Sequence, residues 1–98
     1  MPSMLIQYTV RAGQEAAVKE AVRRFVAAIA EQEPETRYES WLKEDGRSFA
    51  HLMTFADATA QERHKDADYT KEFVATLYPA CEQEPTYEPV SLLVSARD

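Results

Sequence analysis

Two histidines are the residues of this sequence best suited to move a proton at neutral pH, because an imidazole titrates at a pKa of about 6.5. His51 alternates with Phe49, Met53 and Phe55, so it shares an apolar face with them if this segment is a strand. It is therefore a candidate catalytic base. The alternative is a core histidine that is hydrogen-bonded to a neighbouring group.

The second histidine, His64, stands between Arg63 and Lys65 in a segment with helical character. It is a second candidate for catalysis, and a capping or packing role is the alternative. Tyr8, Tyr38 and Tyr69 could line a pocket and hydrogen-bond a ligand, although aromatic rings also simply fill cores.

Other kinds of chemistry find little support in the sequence. The two histidines could share a metal only if the fold brings them together, and no carboxylate or thiolate partner stands in a metal-binding pattern, so no metal is expected. Two glycines are too few for a phosphate-binding loop, and a G-x-S-x-G motif is absent. The acidic residues near the middle and the end of the chain are predicted to be solvated surface: Glu31, Glu33, Glu35, Glu82, Glu84 and Glu88.

Length and charge narrow the class of protein. The chain has 98 residues, of which 45% are hydrophobic, so residues 1–98 are predicted to form a single domain. Its net charge of −6 argues against nucleic acid and against an anionic membrane surface as partners. No signal peptide or membrane span is recognisable, and the lone Cys81 cannot form an internal disulfide. A cytoplasmic location is expected.

The first half of the chain is predicted to contain a strand, a helix and a hairpin. Residues 4–10 are rich in β-branched and aromatic residues, as in a strand. Residues 14–32 are predicted to be helical because Val18, Val22, Phe25, Val26 and Ile29 form one apolar stripe. Strands at residues 36–43 and 48–55 are joined through Asp45-Gly46, a strong hairpin signal.

The second half is predicted to contain a broken helix and a last strand. Thr59-Ala60-Gln61-Glu62 fits a capping box, with Asp57 as a rival cap. The helix is expected to break near Asp66–Asp68 and then to resume. Residues 90–95 alternate between apolar and mostly polar side chains and are predicted as the final strand.

The order βαββαβ predicts an α+β, ferredoxin-like fold with a four-stranded antiparallel sheet and its helices on one face. The strands carry apolar residues on both faces, as in the pairs Leu5/Ile6 and Trp41/Leu42. Because the helices cover only one face, a second sheet is expected to cover the other. A homodimer through the sheet face is the simplest source of that second sheet.

These features together resemble the antibiotic biosynthesis monooxygenase (ABM) domain, a branch of the dimeric α+β barrel proteins. The resemblance starts with the strand that ends at Gly13, the stretch Arg37-Tyr38-Glu39 and the strand 49–55, which is followed by Asp57. It continues with the pattern H-x4-Y-x3-F-x3-L, formed by His64, Tyr69, Phe73 and Leu77. Nearly the whole chain is covered.

The resemblance implies a homodimer whose sheets pack face to face, with a pocket between each sheet and its helices. Known members include oxygenases of aromatic polyketides and quinols that use neither metal nor flavin, as well as haem-degrading enzymes; many have no assigned activity. It therefore implies no cofactor and a small aromatic ligand. The candidate catalytic residues are His51 and His64. The candidate substrate-binding residues are Tyr8, Tyr38, Tyr69, Phe49, Met53, Phe55 and Phe73.

Three positions depart from the best-understood members of that family. The aromatic oxygenases and the haem degraders carry a Trp at the end of the third strand, where this chain has Phe55. The haem degraders place an iron-ligating His where this chain has Phe73, which weakens a haem-degrading role. The Asn that several oxygenases use on the first strand has no counterpart nearer than Gln7 or Tyr8.

The leading hypothesis is a cofactor-independent monooxygenase of a small aromatic or quinol-like compound, with His51 as the base and Tyr8, Tyr69 or His64 orienting the substrate. One alternative is a non-catalytic, small-ligand-binding or stress-related protein on the same scaffold. Another is an isomerase or decarboxylase-like enzyme that uses the same acid–base residues. An enclosed pocket at His51 would favour the first hypothesis, and a filled face would favour the second.

Overall fold

The computed structural model of the chain describes residues 1–97 and contains four strands and three helices. The strands are β1 (Ser3–Thr9), β2 (Arg37–Leu42), β3 (Ser48–Thr54) and β4 (Thr86–Val90). The helices are α1 (Glu15–Gln32), α2 (Ala58–Asp66) and α3 (Asp68–Ala80). The predicted α+β, ferredoxin-like class is confirmed, and the second helical region breaks at Ala67 as expected.

The four strands form one antiparallel sheet in the order β2-β3-β1-β4. His51 stands at the centre of this sheet, opposite Ile6 of β1 on one side and Ser40 of β2 on the other. Because side chains alternate along each strand, the residues two positions away from these partners share the face of His51. Tyr8 and Tyr38 are two such residues, one on each neighbouring strand.

The face of the sheet that carries His51 packs against the helices. Of the helix stripe that was predicted from periodicity, Val18, Val22, Phe25 and Ile29 are buried there and Val26 is partly buried. They lie in one core with Ala21 of the same helix and with Phe73 and Leu77 of α3. Burial of this much apolar surface is the main term that stabilises a domain of this size.

The opposite face of the sheet remains open in the single chain. Trp41 is 63% exposed and Leu52 is 40% exposed, although both stand within strands. Exposed apolar side chains of this size on a sheet are unusual unless another surface covers them. The homodimer that was predicted to cover this face stays a prediction.

The start of α2 corrects the predicted capping box. Asp57 is the N-cap, because its carboxylate accepts a hydrogen bond from the backbone N–H of Ala60 at 2.8 Å. Thr59 already lies inside the helix, which begins at Ala58. Its hydroxyl therefore cannot serve as the N-cap side chain, and the rival assignment of the cap is the one the structure supports.

The last strand also differs from the prediction. Residues 86–90 form β4 and pair with β1, whereas residues 91–97 belong to no strand. Leu92, Leu93 and Val94 are 78%, 94% and 78% exposed, so the alternation that suggested a strand at 90–95 does not reflect burial in this chain. β4 contains Pro89 and lies at the edge of the sheet, where a proline is tolerated because no second strand needs its N–H.

The hairpin between β2 and β3 forms as predicted. Gly46 adopts a φ of 74°, a conformation that disfavours residues with a side chain. Asp45 accepts hydrogen bonds from the backbone N–H groups of Arg47 and Ser48 and from the Ser48 hydroxyl. These bonds, with the Ser48 hydroxyl foremost, lower the pKa of Asp45 to about 2.

Within residues 1–97, no helix combines the length and the hydropathy that a membrane span requires.

Candidate functional site

A cavity of about 420 Å³ lies between the sheet and the helices. Most of its lining is apolar, with Phe25 from α1, Met53 from β3 and Phe73 from α3 among the contributors. Its polar residues come from both layers: Tyr8, Tyr38, His51 and Tyr87 from the sheet, and Gln61, His64, Lys65 and Thr70 from the helices. A mainly apolar cavity with a few convergent polar groups is typical of sites for small organic ligands.

His51 is the hub of a hydrogen-bonded cluster on the sheet side of this cavity. Its Nε2 lies 2.8 Å from the Tyr8 hydroxyl, and its Nδ1 lies 2.6 Å from the Tyr38 hydroxyl. The Ser40 hydroxyl is a third neighbour, at 3.2 Å from Nε2. Both ring nitrogens are thus occupied by hydroxyl groups from the two flanking strands, although the imidazole is only 1% exposed.

Burial keeps His51 neutral at physiological pH, because desolvation disfavours the imidazolium and lowers the pKa to about 4. A neutral imidazole has one N–H and one lone pair, so it can accept a hydrogen bond at only one of its nitrogens and donates at the other. Tyr8 and Tyr38 bond opposite nitrogens, so one of them donates to the ring and the other accepts from it. The tyrosine that accepts a hydrogen bond from the ring can donate its own O–H to another group. Both tyrosines line the cavity.

Both tyrosines of this cluster remain protonated. Burial raises the pKa of Tyr8 and of Tyr38 well above the ordinary tyrosine value, with smaller contributions from Cys81 at Tyr8 and from Tyr8 at Tyr38. A tyrosine that cannot ionise is a donor of a hydrogen bond rather than a base. The cluster can therefore present a fixed O–H donor to an oxygen atom of a ligand.

A second polar cluster joins the helices around Glu33, the residue that ends α1. Its Oε2 accepts a bond from the Tyr69 hydroxyl at 2.5 Å and lies 2.8 Å from Nδ1 of His64. Its Oε1 accepts a bond from the Thr36 hydroxyl at 2.8 Å. The side chains of His64 and Glu33 are only 7% and 12% exposed, so this contact is largely shielded from water.

Glu33 is ionised in this environment. Burial alone would raise the pKa of the carboxyl group, but the hydrogen bonds from Tyr69, His64 and Thr36 outweigh it and lower the pKa below the ordinary glutamate value. An ionised carboxylate only accepts hydrogen bonds, so Nδ1 of His64 must carry the proton that faces it. In the neutral form of this imidazole, the lone pair is then on Nε2.

Most of the predicted site residues come together at the cavity. His51, His64, Tyr8, Tyr38, Met53, Phe55 and Phe73 all contribute to its lining. The ring of Tyr38 stands between the two histidines, with centroid distances of 5.5 Å to His51 and 6.0 Å to His64.

Two of the predicted residues lie elsewhere. Phe49 stacks on the ring of Tyr8 at a centroid distance of 5.1 Å and is part of the core rather than of the cavity lining. Tyr69 does not line the cavity either, because its hydroxyl is directed to Glu33. Its hydroxyl contacts the site through that carboxylate, and its ring lies 6.3 Å from the ring of Phe25.

Two of the positions at which this chain departs from the best-understood oxygenases and haem degraders are aromatic and buried. Phe55 is 1% exposed and lies 5.1 Å from the ring of His64. Phe73 stacks on Phe25 at 4.4 Å and lies 6.0 Å from the ring of His51. Both residues therefore form part of the apolar wall of the cavity, beside the two imidazoles.

Two functional candidates were not identified from the sequence. Glu33 was predicted to be solvated surface together with its neighbours Glu31 and Glu35, and its position in the sequence does not indicate that α1 ends beside His64. Thr70 lines the cavity, and its hydroxyl is the one buried side-chain polar atom within residues 1–97 that has no hydrogen-bond partner. Neither residue belongs to a recognisable motif, and the His64 and Tyr69 partners of Glu33 are distant from it in sequence.

No group of three or more His, Cys, Asp or Glu side chains in the part of the chain that the structure describes is arranged to hold a metal ion. His51 and His64 both reach the cavity, but their Nδ1 atoms are already bonded to Tyr38 and Glu33.

Comparison with known proteins gives a consistent result. Residues 1–76 match the family model described as antibiotic biosynthesis monooxygenase. No curated protein matches the chain.

Similar solved structures support the fold. One is described as an antibiotic biosynthesis monooxygenase; it has a TM-score of 0.86 at 17% identity and covers 96% of this chain and 100% of its own. Rv0793 from Mycobacterium tuberculosis has a TM-score of 0.83 at 14% identity, over 98% of this chain and 99% of its own. SnoaB, a cofactor-independent oxygenase from Streptomyces nogalater, has a TM-score of 0.82 at 15% identity, over 99% of this chain and 97% of its own. At these identities the likeness concerns the fold alone.

Proposed function

Because this chain belongs to the antibiotic biosynthesis monooxygenase family, we propose that it is a cofactor-independent monooxygenase of a small aromatic or quinol-like substrate. In this chemistry the substrate supplies the electrons, and the protein removes a phenolic proton, excludes water and holds the resulting anion for reaction with oxygen.

The open cavity at His51 is the observation that carries this proposal. A non-catalytic scaffold would be free to fill this space with side chains, yet about 420 Å³ remains beside Tyr8, Tyr38 and His51. The volume lies toward the small end of the range for ligand pockets, roughly 300–1,000 Å³. Aromatic walls from Phe25, Phe55 and Phe73 suit a flat ring system.

The reaction balances for a phenol whose ring carries hydrogen opposite the hydroxyl group. Loss of the O–H proton gives a phenolate, whose negative charge is shared with that ring carbon. The carbon forms a bond to O₂, and the hydroperoxide that results loses water to leave a quinone. The substrate gives four electrons; one oxygen atom becomes the new carbonyl, and the other leaves as water with the two hydrogens.

In this scheme the cluster of Tyr8, Tyr38 and His51 stabilises the phenolate anion of the substrate. One of Tyr8 and Tyr38 accepts from His51 and can donate its own O–H to the substrate oxygen, where negative charge develops. Hydrogen-bond donors fixed in advance at such a position are typically worth roughly 10²–10³-fold in rate. His51 then acts as a neutral hub that fixes the tyrosines, because its pKa of about 4 makes it a weak acceptor of a phenolic proton.

The functional unit we propose is a homodimer formed through the outer face of the sheet. The exposed Trp41 and Leu52 on that face support it, since aromatic residues are enriched in the cores of such interfaces.

Oxygen uptake with a panel of phenols, naphthols and anthrones tests the function. We expect at least one of them to be converted to a quinone that carries one atom of ¹⁸O when the reaction runs under ¹⁸O₂, and we expect His51→Ala to lose most of this activity. No uptake with any compound, or full activity in His51→Ala, would contradict the proposal.

A further inference from the structure

The structure assigns a role to the pair formed by Glu33 and His64. We propose that Nε2 of His64 is the proton acceptor for the phenolic substrate and that Glu33 is the positioning residue that makes it so. This rests on the proposed function for the identity of the substrate, but the proton transfer itself can be tested without turnover.

The first argument is the tautomer of His64. The Glu33 carboxylate lies 2.8 Å from Nδ1 and can only accept, so the imidazole proton is held on that nitrogen. In the neutral form of the ring the lone pair is consequently on Nε2, which makes no hydrogen bond within residues 1–97. This is the state that a general base needs before it can take a proton.

The second argument is direction. The two nitrogens of an imidazole point to nearly opposite sides of the ring. His64 lines the cavity, whereas Glu33 does not. With Nδ1 turned to Glu33 and the ring packed against Phe25 and Phe55, the Nε2 side of the ring is the one left for the cavity.

The third argument is charge. When Nε2 takes the proton, the ring becomes an imidazolium beside an ionised carboxylate, and their attraction is strong because the pair is largely buried. Tyr69 and Thr36 donate to the same carboxylate and hold it in place. His51 has only hydroxyl neighbours and lacks such a counter-charge.

The step is a simple proton transfer. The phenolic O–H bond breaks, an N–H bond forms at Nε2 of His64, and no oxidation state changes. The site then contains a phenolate that faces the tyrosines of the His51 cluster and an imidazolium that is paired with Glu33. Tyr38 lies within 6.0 Å of both imidazoles, so one small substrate can reach both clusters.

Binding of 4-nitrophenol below the pH at which it ionises in water tests the assignment, because its phenolate absorbs at a different wavelength from the neutral phenol. We expect the phenolate band in the wild-type protein and its loss in His64→Gln. In Glu33→Gln we expect the band to weaken by about tenfold or more, since an amide of the same shape lacks the charge that stabilises the imidazolium. Glu35→Gln, which removes an exposed carboxylate two residues away, should leave the band unchanged.

Absence of the phenolate band in the wild-type protein, or its persistence in His64→Gln, would overturn the assignment. The oxygen assay separates this failure from failure of the proposed function. A phenolate band without oxygen uptake would refute the monooxygenase and retain His64 as the proton acceptor. Oxygen uptake that is unchanged in a folded His64→Gln protein would retain the monooxygenase and refute the role of His64.

Discussion

The hydroxyl of Tyr38 lies 2.6 Å from Nδ1 of His51, although the two side chains belong to different strands and stand diagonally across the ladder that joins them. The bond depends on the register of β2 against β3, because a slip by one residue would turn Tyr38 to the opposite face of the sheet. Tyr8 makes the equivalent diagonal contact from β1. Correct pairing of three strands is therefore what assembles the cluster.

Removal of either hydroxyl from this cluster should slow the reaction more than it weakens binding. For Tyr8→Phe and Tyr38→Phe we expect kcat to fall by roughly 10–10²-fold with little change in KM, because the donor acts mainly on charge that develops after binding. Steady-state oxygen uptake with the best substrate of the panel measures both constants. Phe49→Leu, which alters packing near Tyr8 without removing a hydroxyl, is the control. A rise in KM at constant kcat would contradict this, because it would show that the hydroxyls bind the substrate and the transition state equally well.

Acid should destabilise the fold through His51. Its pKa is lowered from 6.5 to about 4 in the folded chain, so the unfolded chain binds the extra proton first as the pH falls. The free energy of unfolding therefore keeps its full value, as far as His51 is concerned, above pH 6.5 and falls progressively down to pH 4. The total loss that is due to His51 is about 3 kcal/mol at most.

Urea unfolding of the wild-type protein and of His51→Gln at pH 7 and at pH 4 measures this contribution. The variant should be less stable at pH 7 but should lose less stability on acidification. Carboxyl groups such as Glu33 titrate in both proteins, so they cancel in the comparison. Equal losses in the two proteins would contradict the assigned pKa.

The N-cap of α2 gives a prediction that separates the two candidate caps. Asp57→Ala should lower the free energy of unfolding by about 1 kcal/mol, because the N–H of Ala60 loses its acceptor. Thr59→Ala should change it by less than about 0.5 kcal/mol, since Thr59 makes no capping bond. Urea denaturation of the two variants side by side is sufficient, and a larger loss for Thr59→Ala would restore the capping box.

The outer face of the sheet should carry the dimer contact. We expect the wild-type protein to sediment as a dimer and Trp41→Glu to shift toward the monomer, because burial of a new carboxylate in an apolar interface is unfavourable. Lys71→Glu, which changes charge on an exposed position of α3, should remain dimeric. A monomeric wild-type protein would refute the interface.

The elements of the fold were largely predictable because their signals are local. The apolar stripe of α1 and the Asp45-Gly46 turn each identify an element from its own residues, and both are confirmed. The last strand was misplaced because residues 90–95 alternate as a strand would, while the pairing with β1 is made by the less apolar stretch 86–90. Alternation alone does not show which residues find a partner strand.

The site was only partly predictable, for a physical reason. His51 and His64 are conspicuous as the only two imidazoles of the sequence. Glu33 resembles its exposed neighbours in type and spacing, and it is distinguished only by the place where α1 stops. Its contact with His64 joins residues 31 positions apart, so it follows from the place where α1 ends in the tertiary structure and not from any local pattern.

The position of Glu33 at the end of α1 limits how this chain can vary in length. Each residue that is inserted into a helix rotates everything beyond it by about 100° and advances it by about 1.5 Å. One insertion within residues 15–32 would therefore swing the carboxylate away from His64 and Tyr69, even if the helix itself folded well. Insertions in the 43–47 turn would leave that contact intact. Evolutionary change in length should accordingly accumulate in the hairpin and spare the first helix.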